Sequence, residues 1–388
     1  MKRLAILGST GSIGRQTIEV VREFPERFQV TALAAGSNLE LLAGQARVLK
    51  PQYIALGRED LVPRLRELLG DAKIQILTGL DGLITLATLP EVDQVVTAVV
   101  GSLGIRPTLA AINAGKSVAL ANKETLVAAG SIIMAAAARQ KATIIPVDSE
   151  HSAVFQCLEG RDRNQVSRIL LTASGGPFRS YRPEDLEQVT LKQALNHPNW
   201  SMGGKITIDS ATMINKGLEI IEAHWLFGMD FHRIAVVLHP ESIVHSMIEL
   251  RDGAILGQMG LCDMRLPIQL ALTYPERLEN SFPKLDPTQG MELHFEPVNT
   301  KLFPAIPLAY QVGKAGGSLP AAFNAANETA VEAFRQGRLK FTGIVRIVSE
   351  VIGHHQKENF SANPDLDEIL EVDNWARATA GKLIELGR

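Results

Sequence analysis

Acidic side chains carry the first chemical signal in this sequence. Asp148-Ser149-Glu150 follows a β-like run, Thr143–Pro146, and a third acid, Glu219, ends the stretch Asn215-Lys216-Gly217-Leu218-Glu219. In extended backbone residues i and i+2 point the same way, so Asp148 and Glu150 can face one ion. Three carboxylates without clustered Cys or His suit a hard cation, Mg2+ or Mn2+. Taken alone, an acidic pair after a strand is more often a helix cap or solvated surface charge. Ser174-Gly175-Gly176, Ser210, Asn215 and Lys216 form a second group, small donors and one cation in glycine-containing turns. Such groups suit a phosphate ester, although ordinary turn chemistry also explains them.

His197-Pro198-Asn199-Trp200-Ser201-Met202-Gly203-Gly204-Lys205 reads as a flap within a polar, loop-like stretch from Asn196 to Asp209. Trp200 there either closes over a ligand and excludes water or anchors local packing. His239, Glu241 and His245 resemble a ligand set. Placed in a strand, they would share the face of the apolar positions, so they read as sheet or interface residues. Cys157 lies in an apolar helix-like run and reads as core. Cys262 has no nearby basic partner to make it a thiolate nucleophile.

Gly8-Ser9-Thr10-Gly11-Ser12-Ile13-Gly14 directly follows the first strand-like run and opens the first helical one. A dinucleotide pyrophosphate packs against backbone N–H groups at such a helix start, and glycines let the backbone come close. An NAD site would place an acid near the end of the second strand, on the ribose hydroxyls. Here Ala35-Gly36-Ser37-Asn38 supplies small, neutral groups, and no acid follows until Glu40. That leaves room for a 2′-phosphate and favours NADP. Asn38 is also a natural N-cap, and the two roles are compatible.

The elements that position these groups alternate. Strand-like runs at Leu4–Leu7, Val30–Ala34, Tyr53–Leu56, Ile74–Leu77, Val95–Val99, Ser117–Leu120 and Thr143–Pro146 are separated mostly by helical stretches such as Ile13–Glu23 and Leu39–Lys50. This pattern predicts α/β architecture, a doubly wound, Rossmann-like domain over residues 1–149. Strands expected at Arg168–Thr172, Ala235–Leu238, Ser242–Leu250 and Ala254–Met259 predict a central α+β catalytic domain, 150–274. The turn Arg251-Asp252-Gly253 joins the last two strands. Six prolines between 275 and 307 give that segment linker composition. Residues 308–388 read as a helical domain, with clear segments at Ala321–Gln336 and Ile344–His354.

Composition narrows the function further. Of 388 residues, 46% are hydrophobic and 21% charged, enough for real cores. A net charge of −3 argues against a nucleic-acid partner while leaving room for a local basic pocket. Two cysteines are too few for a disulfide scaffold. No apolar run is long enough to span a membrane, and structured-looking sequence begins at once. A cytoplasmic location is expected. A plastid protein whose transit peptide has been removed would read the same way.

Eight stretches together resemble the 1-deoxy-D-xylulose 5-phosphate reductoisomerase family. They are GSTGSIG (8–14), ALANKETLV (119–127), PVDSEHSAVFQCL (146–158), LTASGGPF (171–178), HPNWSMG (197–203), DSATMINKGLE (209–219), HPESIVHSMIE (239–249) and NAANETAVEAF (324–334). They span almost the whole chain in the family's order. The resemblance implies an NADPH-dependent homodimer, with the second sheet used in dimerisation. It would isomerise and reduce 1-deoxy-D-xylulose 5-phosphate, a small phosphorylated sugar, to 2-C-methyl-D-erythritol 4-phosphate in non-mevalonate isoprenoid precursor biosynthesis.

By that resemblance Asp148, Glu150 and Glu219 hold Mg2+ or Mn2+, with Co2+ also admissible. Lys123, Ser149 and Glu150 contact the substrate backbone, with Lys123 assisting electrostatically. Ser174, His197, Ser210, Asn215 and Lys216 surround its phosphate end. Trp200 and Met202 belong to the flexible loop. Thr10, Gly11, Ser12, Ile13, Gly36, Asn38, Asn122, Glu124 and Gly203 match cofactor positions, and Ser37 lies among them. Gly204 stands where many members carry a longer, often basic residue, so no cofactor contact is implied there. Retro-aldol and aldol steps would rearrange the skeleton before hydride reduces the aldehyde.

Two rival readings make different demands. An NADP-dependent semialdehyde dehydrogenase shares a similar glycine loop but needs a catalytic Cys with a His partner, a context neither cysteine has. A non-enzymatic, nucleotide-sensing regulator needs a DNA- or partner-binding module, and no basic recognition helix is visible.

Overall fold

The computed structural model describes residues 1–200, 202–358 and 360–387. The chain divides into two compact units. The first comprises Met1–Thr125, Ile133–Ser152 and Asp263–Pro283; the second comprises Leu126–Ile132, Ala153–Cys262 and Lys284–Arg388.

The first unit is built on a parallel sheet. Its strands are β1 (Lys2–Leu7), β2 (Phe28–Ala35), β3 (Tyr53–Leu56), β4 (Gln75–Thr78), β5 (Gln94–Thr97), β6 (Ser117–Leu120) and β7 (Ile144–Pro146). They lie in the order β4-β3-β2-β1-β5-β6-β7. Helices α1 (Ser12–Glu23), α2 (Leu39–Leu49), α3 (Val62–Leu69), α4 (Gly79–Thr88) and α5 (Ile105–Asn113) fill the crossovers. α6 (Lys123–Gln140) and α7 (Ser149–Leu158) follow β6 and β7. Strands covered on both faces need continuous apolar runs, and Leu4, Ile6, Leu33 and Leu56 are fully buried. The strand order reverses between β1 and β5. In doubly wound sheets ligands bind beyond the carboxyl ends of strands at such a switch point.

The second unit holds a mixed sheet in the order β11-β10-β8-β9-β12. Its strands are β8 (Val166–Ala173), β9 (Ile234–Leu238), β10 (Val244–Leu250), β11 (Ile255–Met259) and the two-residue β12 (Glu296–Pro297). β8 and β9 are parallel, and β10 runs antiparallel to both β8 and β11. Gly253, at φ +88°, makes the expected turn between β10 and β11. Between β8 and β9 come α8 (Leu191–Ala194), α9 (Gly204–Thr212) and α10 (Ile214–Phe227). α11 (Arg265–Thr273) returns to the first unit, where Gln94 Nε2 donates to Ala271 O at 2.8 Å. The second unit ends in α12 (Ala305–Ala315), α13 (Leu319–Arg335), α14 (Phe341–Glu358) and α15 (Leu366–Glu385), whose core includes Phe323, Ile347, Val351 and Ala376.

One expectation needs correction here. The polar stretch 196–209 is not loop throughout, because α9 begins at Gly204. Gly203 caps the helix, Thr207 Oγ1 donates to Gly203 O, and Thr207, Ile208 and Ala211 supply the buried face. Among the described residues no helix is long and apolar enough to cross a membrane.

Candidate active site

The glycine loop sits at the carboxyl end of β1. Gly8 has φ +95°, and a Cβ there would lie 2.4 Å from Ala98 O. A Cβ on Gly14 would lie 2.2 Å from Gly8 O, so the turn closes only with glycine at both places. Gly11 is the N-cap of α1 and brings no capping side chain. The first-turn N–H groups of Ser12, Ile13 and Gly14 are therefore not covered by the cap residue, which suits an anion at the helix start. Thr10 is half-buried in the same turn. Gly36, Ser37 and Asn38 are exposed beyond β2, at the same edge of the sheet. Asn38 does cap α2, its Oδ1 accepting Leu41 N–H at 3.2 Å.

Asn122 is wedged between β6 and α6. Its Nδ2 donates to Val99 O and Gly101 O, both at 3.0 Å, and to Glu124 Oε2 at 2.9 Å. Its Oδ1 caps α6 by accepting Thr125 N–H at 3.1 Å. A Cβ on Gly104 would lie 2.4 Å from that oxygen, so glycine is required beside it. The next residue, Lys123, is buried and places Nζ 2.7 Å from Asp148 Oδ2.

Asp148 precedes α7 rather than lying in extended strand, which corrects the i, i+2 geometry expected from the sequence. Its Oδ1 accepts Glu150 N–H at 3.2 Å, and its carbonyl accepts Ser152 N–H at 2.8 Å, as an N-cap residue does. Ser149 Oγ donates to Glu150 Oε2 at 2.5 Å. His151, fully buried, places Nδ1 3.2 Å from Asp148 Oδ1. Burial pushes the Asp148 carboxyl up, but the Lys123 charge and the His151 hydrogen bond outweigh it and hold it well below the usual carboxylate range. The result is a buried, ionised oxygen donor. Reading the sequence passes over His151; its spacing of three from Asp148 at a helix start is the signal that could have marked it.

The second unit gathers the remaining candidates. Ser174 follows β8, and its Oγ lies 3.0 Å from His197 Nε2. The ring's other nitrogen, Nδ1, accepts N–H groups from Asn199 at 3.2 Å and Trp200 at 3.1 Å. That bonding pattern puts the ring proton on Nε2, facing Ser174. Gly176, at φ +62°, packs so closely on α9 that a Cβ would lie 2.9 Å from Ser210 O. The Ser174 turn and Ser210 are thereby held side by side. Met213, at φ +62°, turns α9 into α10, which carries Asn215, Lys216 and Glu219. Glu219 is fully buried and accepts from both Asn215 Nδ2 and Lys216 Nζ. Gly203 is exposed at the start of α9, and Trp200 lies 6.1 Å from the His245 ring. Ser201, inside the same stretch, is outside the described residues.

The structure therefore forms two constellations: Lys123, Asp148, Ser149 and Glu150 with His151 in the first unit, and Ser174, His197, Ser210, Asn215, Lys216 and Glu219 in the second. Asp148, held ionised beside Lys123, Glu150 and Glu219 are oxygen donors of the kind a hard divalent cation takes. The bare helix start and its glycines fit a dinucleotide. The His239, Glu241 and His245 reading needs correction. β9 ends at Leu238, so His239 and Glu241 lie in a turn and only His245 is in a strand. Both nitrogens of His239 are engaged in hydrogen bonds. Cys157 is half-buried, and burial pushes its thiol up, which disfavours thiolate chemistry.

Comparison with known proteins agrees with this geometry. Residues 4–130 match the 1-deoxy-D-xylulose 5-phosphate reductoisomerase family, residues 144–227 its C-terminal domain, and residues 259–379 a further C-terminal domain of DXP reductoisomerase. The 1-deoxy-D-xylulose 5-phosphate reductoisomerase of Pelotomaculum thermopropionicum is 55% identical over 385 residues, covering 99% of each chain. The Zymomonas mobilis reductoisomerase, solved in complex with NADPH, superposes with a TM-score of 0.91 at 40% identity over 99% of each chain. A DOX-P reductoisomerase in complex with NADPH, fosmidomycin and magnesium gives a TM-score of 0.95 at 40% identity, covering 100% of this chain and 99% of that one. By fold, site chemistry and full-length similarity, this chain belongs to the 1-deoxy-D-xylulose 5-phosphate reductoisomerase family.

Proposed function

We propose that the chain converts 1-deoxy-D-xylulose 5-phosphate to 2-C-methyl-D-erythritol 4-phosphate, using NADPH and a divalent cation, Mg2+ or Mn2+, held by Asp148, Glu150 and Glu219. The observation that carries this reading is the Asp148 carboxylate, buried yet kept ionised by Lys123 at 2.7 Å. An ionised carboxylate at the carboxyl edge of a doubly wound sheet, where such folds bind ligands, is an oxygen donor suited to a hard cation. When bound, the cation supplies Lewis-acid polarisation and the nicotinamide supplies hydride.

The chain's own residues bind, orient and exclude water. Lys123 balances the charge of Asp148 and presents an ammonium to developing negative charge on the substrate. Ser149 and Glu150 contact the substrate backbone. Ser174, His197, Ser210, Asn215 and Lys216 hold the phosphate end, which reacts with nothing and so supplies remote binding energy. Trp200 and Met202 cover the bound sugar. Thr10, Gly11, Ser12 and Ile13 receive the pyrophosphate. Gly36, Ser37 and Asn38 take the 2′-phosphate, and Asn122, Glu124 and Gly203 complete the cofactor contacts. Residues 1–149 serve the cofactor, 150–274 serve catalysis and dimerisation, and 275–307 link them to the helical part, 308–388. The working form is a cytoplasmic homodimer. Ile255 and Met259, exposed on β11 at the margin of the second sheet, support that pairing.

The test is NADPH oxidation followed by absorbance, with the deoxyxylulose phosphate, in the presence and absence of a chelator. Turnover that needs both substrate and free divalent cation is expected. No oxidation with substrate and Mg2+ present, or full activity in chelator, overturns the reading.

A further inference from the structure

One buried imidazole outside the reacting groups ties together the elements that carry His197. His239 is fully buried at the end of β9. Its Nε2 accepts two backbone N–H groups, from Ile243 at 3.1 Å and Val244 at 3.0 Å. Its Nδ1 therefore carries the ring proton, and lies 2.8 Å from His294 O and 3.1 Å from Glu241 Oε2. The Phe295 ring stacks on the imidazole at 4.7 Å. The backbone N–H of His239 donates to Ala173 O at 2.7 Å, directly before Ser174.

The turn that His239 braces is itself a seat. Asn199 Nδ2 donates to Pro240 O and, at 3.0 Å, to Ser242 Oγ. Ser242 is at φ +55°, a conformation that non-glycine residues hold only when their surroundings fix it. Asn199 N–H in turn donates to His197 Nδ1, and His197 Nε2 faces Ser174 Oγ. The contacts close a ring: His239 fixes Ser174 from one side through Ala173, and fixes His197 from the other through the 240–242 turn and Asn199.

We infer that His239 is a positioning residue for the phosphate end of the substrate site, setting the place and ring-proton position of His197 without touching substrate. The inference rests on the reading above that Ser174 and His197 bind the phosphate end. At His239, which is fully buried, a broken hydrogen bond leaves a desolvated group unpaired, and that holds the turn to one geometry.

The test compares His239→Asn with His239→Gln. Asn reaches only the place of Nδ1, whereas the Gln amide oxygen reaches that of Nε2 and can accept the Ile243 and Val244 N–H groups. H239N is expected to raise KM for the deoxyxylulose phosphate roughly tenfold or more, as sub-ångström misplacement of a binding group does. KM for NADPH stays near the wild-type value, and H239Q restores most of the loss. Nitrogen NMR of the imidazoles gives a readout independent of turnover: the His197 Nε2–H tautomer is present in wild type and H239Q and lost in H239N. An unchanged substrate KM or unchanged His197 tautomer in folded H239N overturns the inference, as does H239Q behaving like H239N. Should the wild-type chain fail to turn over this substrate, the proposed reaction falls while the NMR comparison still decides the role of His239. If neither His239 variant folds, N199A, which cuts the same chain of contacts at an exposed residue, decides: the same KM rise and tautomer loss support the inference, and their absence overturns it.

Discussion

Lys123 Nζ and Asp148 Oδ2 lie 2.7 Å apart, with only 7% and 11% of the two side chains accessible. The pair comes from the starts of neighbouring helices, α6 and α7, at the ends of adjacent parallel strands, β6 and β7. A desolvated pair of this kind is sensitive to loss of either member, because the survivor is left charged and buried. Asp148→Asn is therefore expected to cost about 3 kcal/mol of stability. Turnover should fall roughly 100-fold or more, because an amide is a far poorer ligand for a hard cation. Thermal melting and the NADPH-oxidation assay check the two effects separately. Near-normal turnover of the variant at saturating Mg2+ would count against the proposed cation site.

Glycine at position 14 is a packing requirement as well as a binding one. A Cβ there would sit 2.2 Å from Gly8 O and 2.5 Å from Ser9 Cα, both backbone atoms with no freedom to move aside. Gly14→Ala must push α1 away from the end of β1, and the first-turn N–H groups move with it. NADPH Kd, measured by fluorescence, should rise roughly tenfold or more, which corresponds to about 1.4 kcal/mol. Gly44→Ala, in α2, meets nothing within 4 Å and should leave cofactor affinity unchanged.

The glycine loop and the strand-helix alternation were legible from sequence because both signals are local. A strand, three glycines and a helix are contiguous, and their periods need no knowledge of distant residues. The identities of Asp148 and Glu150 were equally plain, but not their backbone: α7 begins at Ser149, so a helix cap replaces the extended pair. α9 was hidden by the glycines and polar residues at its start, which read as loop until the spacing of Thr207, Ile208 and Ala211 is joined to a buried face. His239 read as a sheet or interface residue, and its bonds to Ile243, Val244 and His294 depend on tertiary closure. The return of α11 to the first unit rests on contacts such as Lys2 Nζ with Leu272 O, 270 residues apart, which no window of sequence displays.

Coenzyme choice follows from the end of β2. Gly36, Ser37 and Asn38 are exposed and uncharged, so nothing there repels a 2′-phosphate. NADPH should be preferred over NADH by roughly tenfold or more in kcat/KM. Ser37→Asp adds a like charge and should erode that preference mainly by raising KM for NADPH. Equal efficiency of wild type with the two coenzymes would remove these residues from the cofactor site.

The helical end of the chain carries a titration of its own. His355 in α14 is fully buried, with Nε2 2.8 Å from Ser318 Oγ and its ring 5.0 Å from Trp375 in α15. Burial lowers its pKa below the ordinary value of 6.5. The unfolded chain takes up the proton first as pH falls, so between the two pKa values the unfolded state binds more protons and stability drops. The contribution is complete above about pH 6.5 and is lost progressively below it, with a slope of at most about 1.4 kcal/mol per pH unit. His355→Gln, which keeps a hydrogen-bonding group near Ser318 without a titrating ring, should lower stability at neutral pH and flatten its pH dependence below about pH 6.5. Urea unfolding of both proteins at a series of pH values measures this. A variant whose stability falls with acid as steeply as wild type would place the proton uptake at another group.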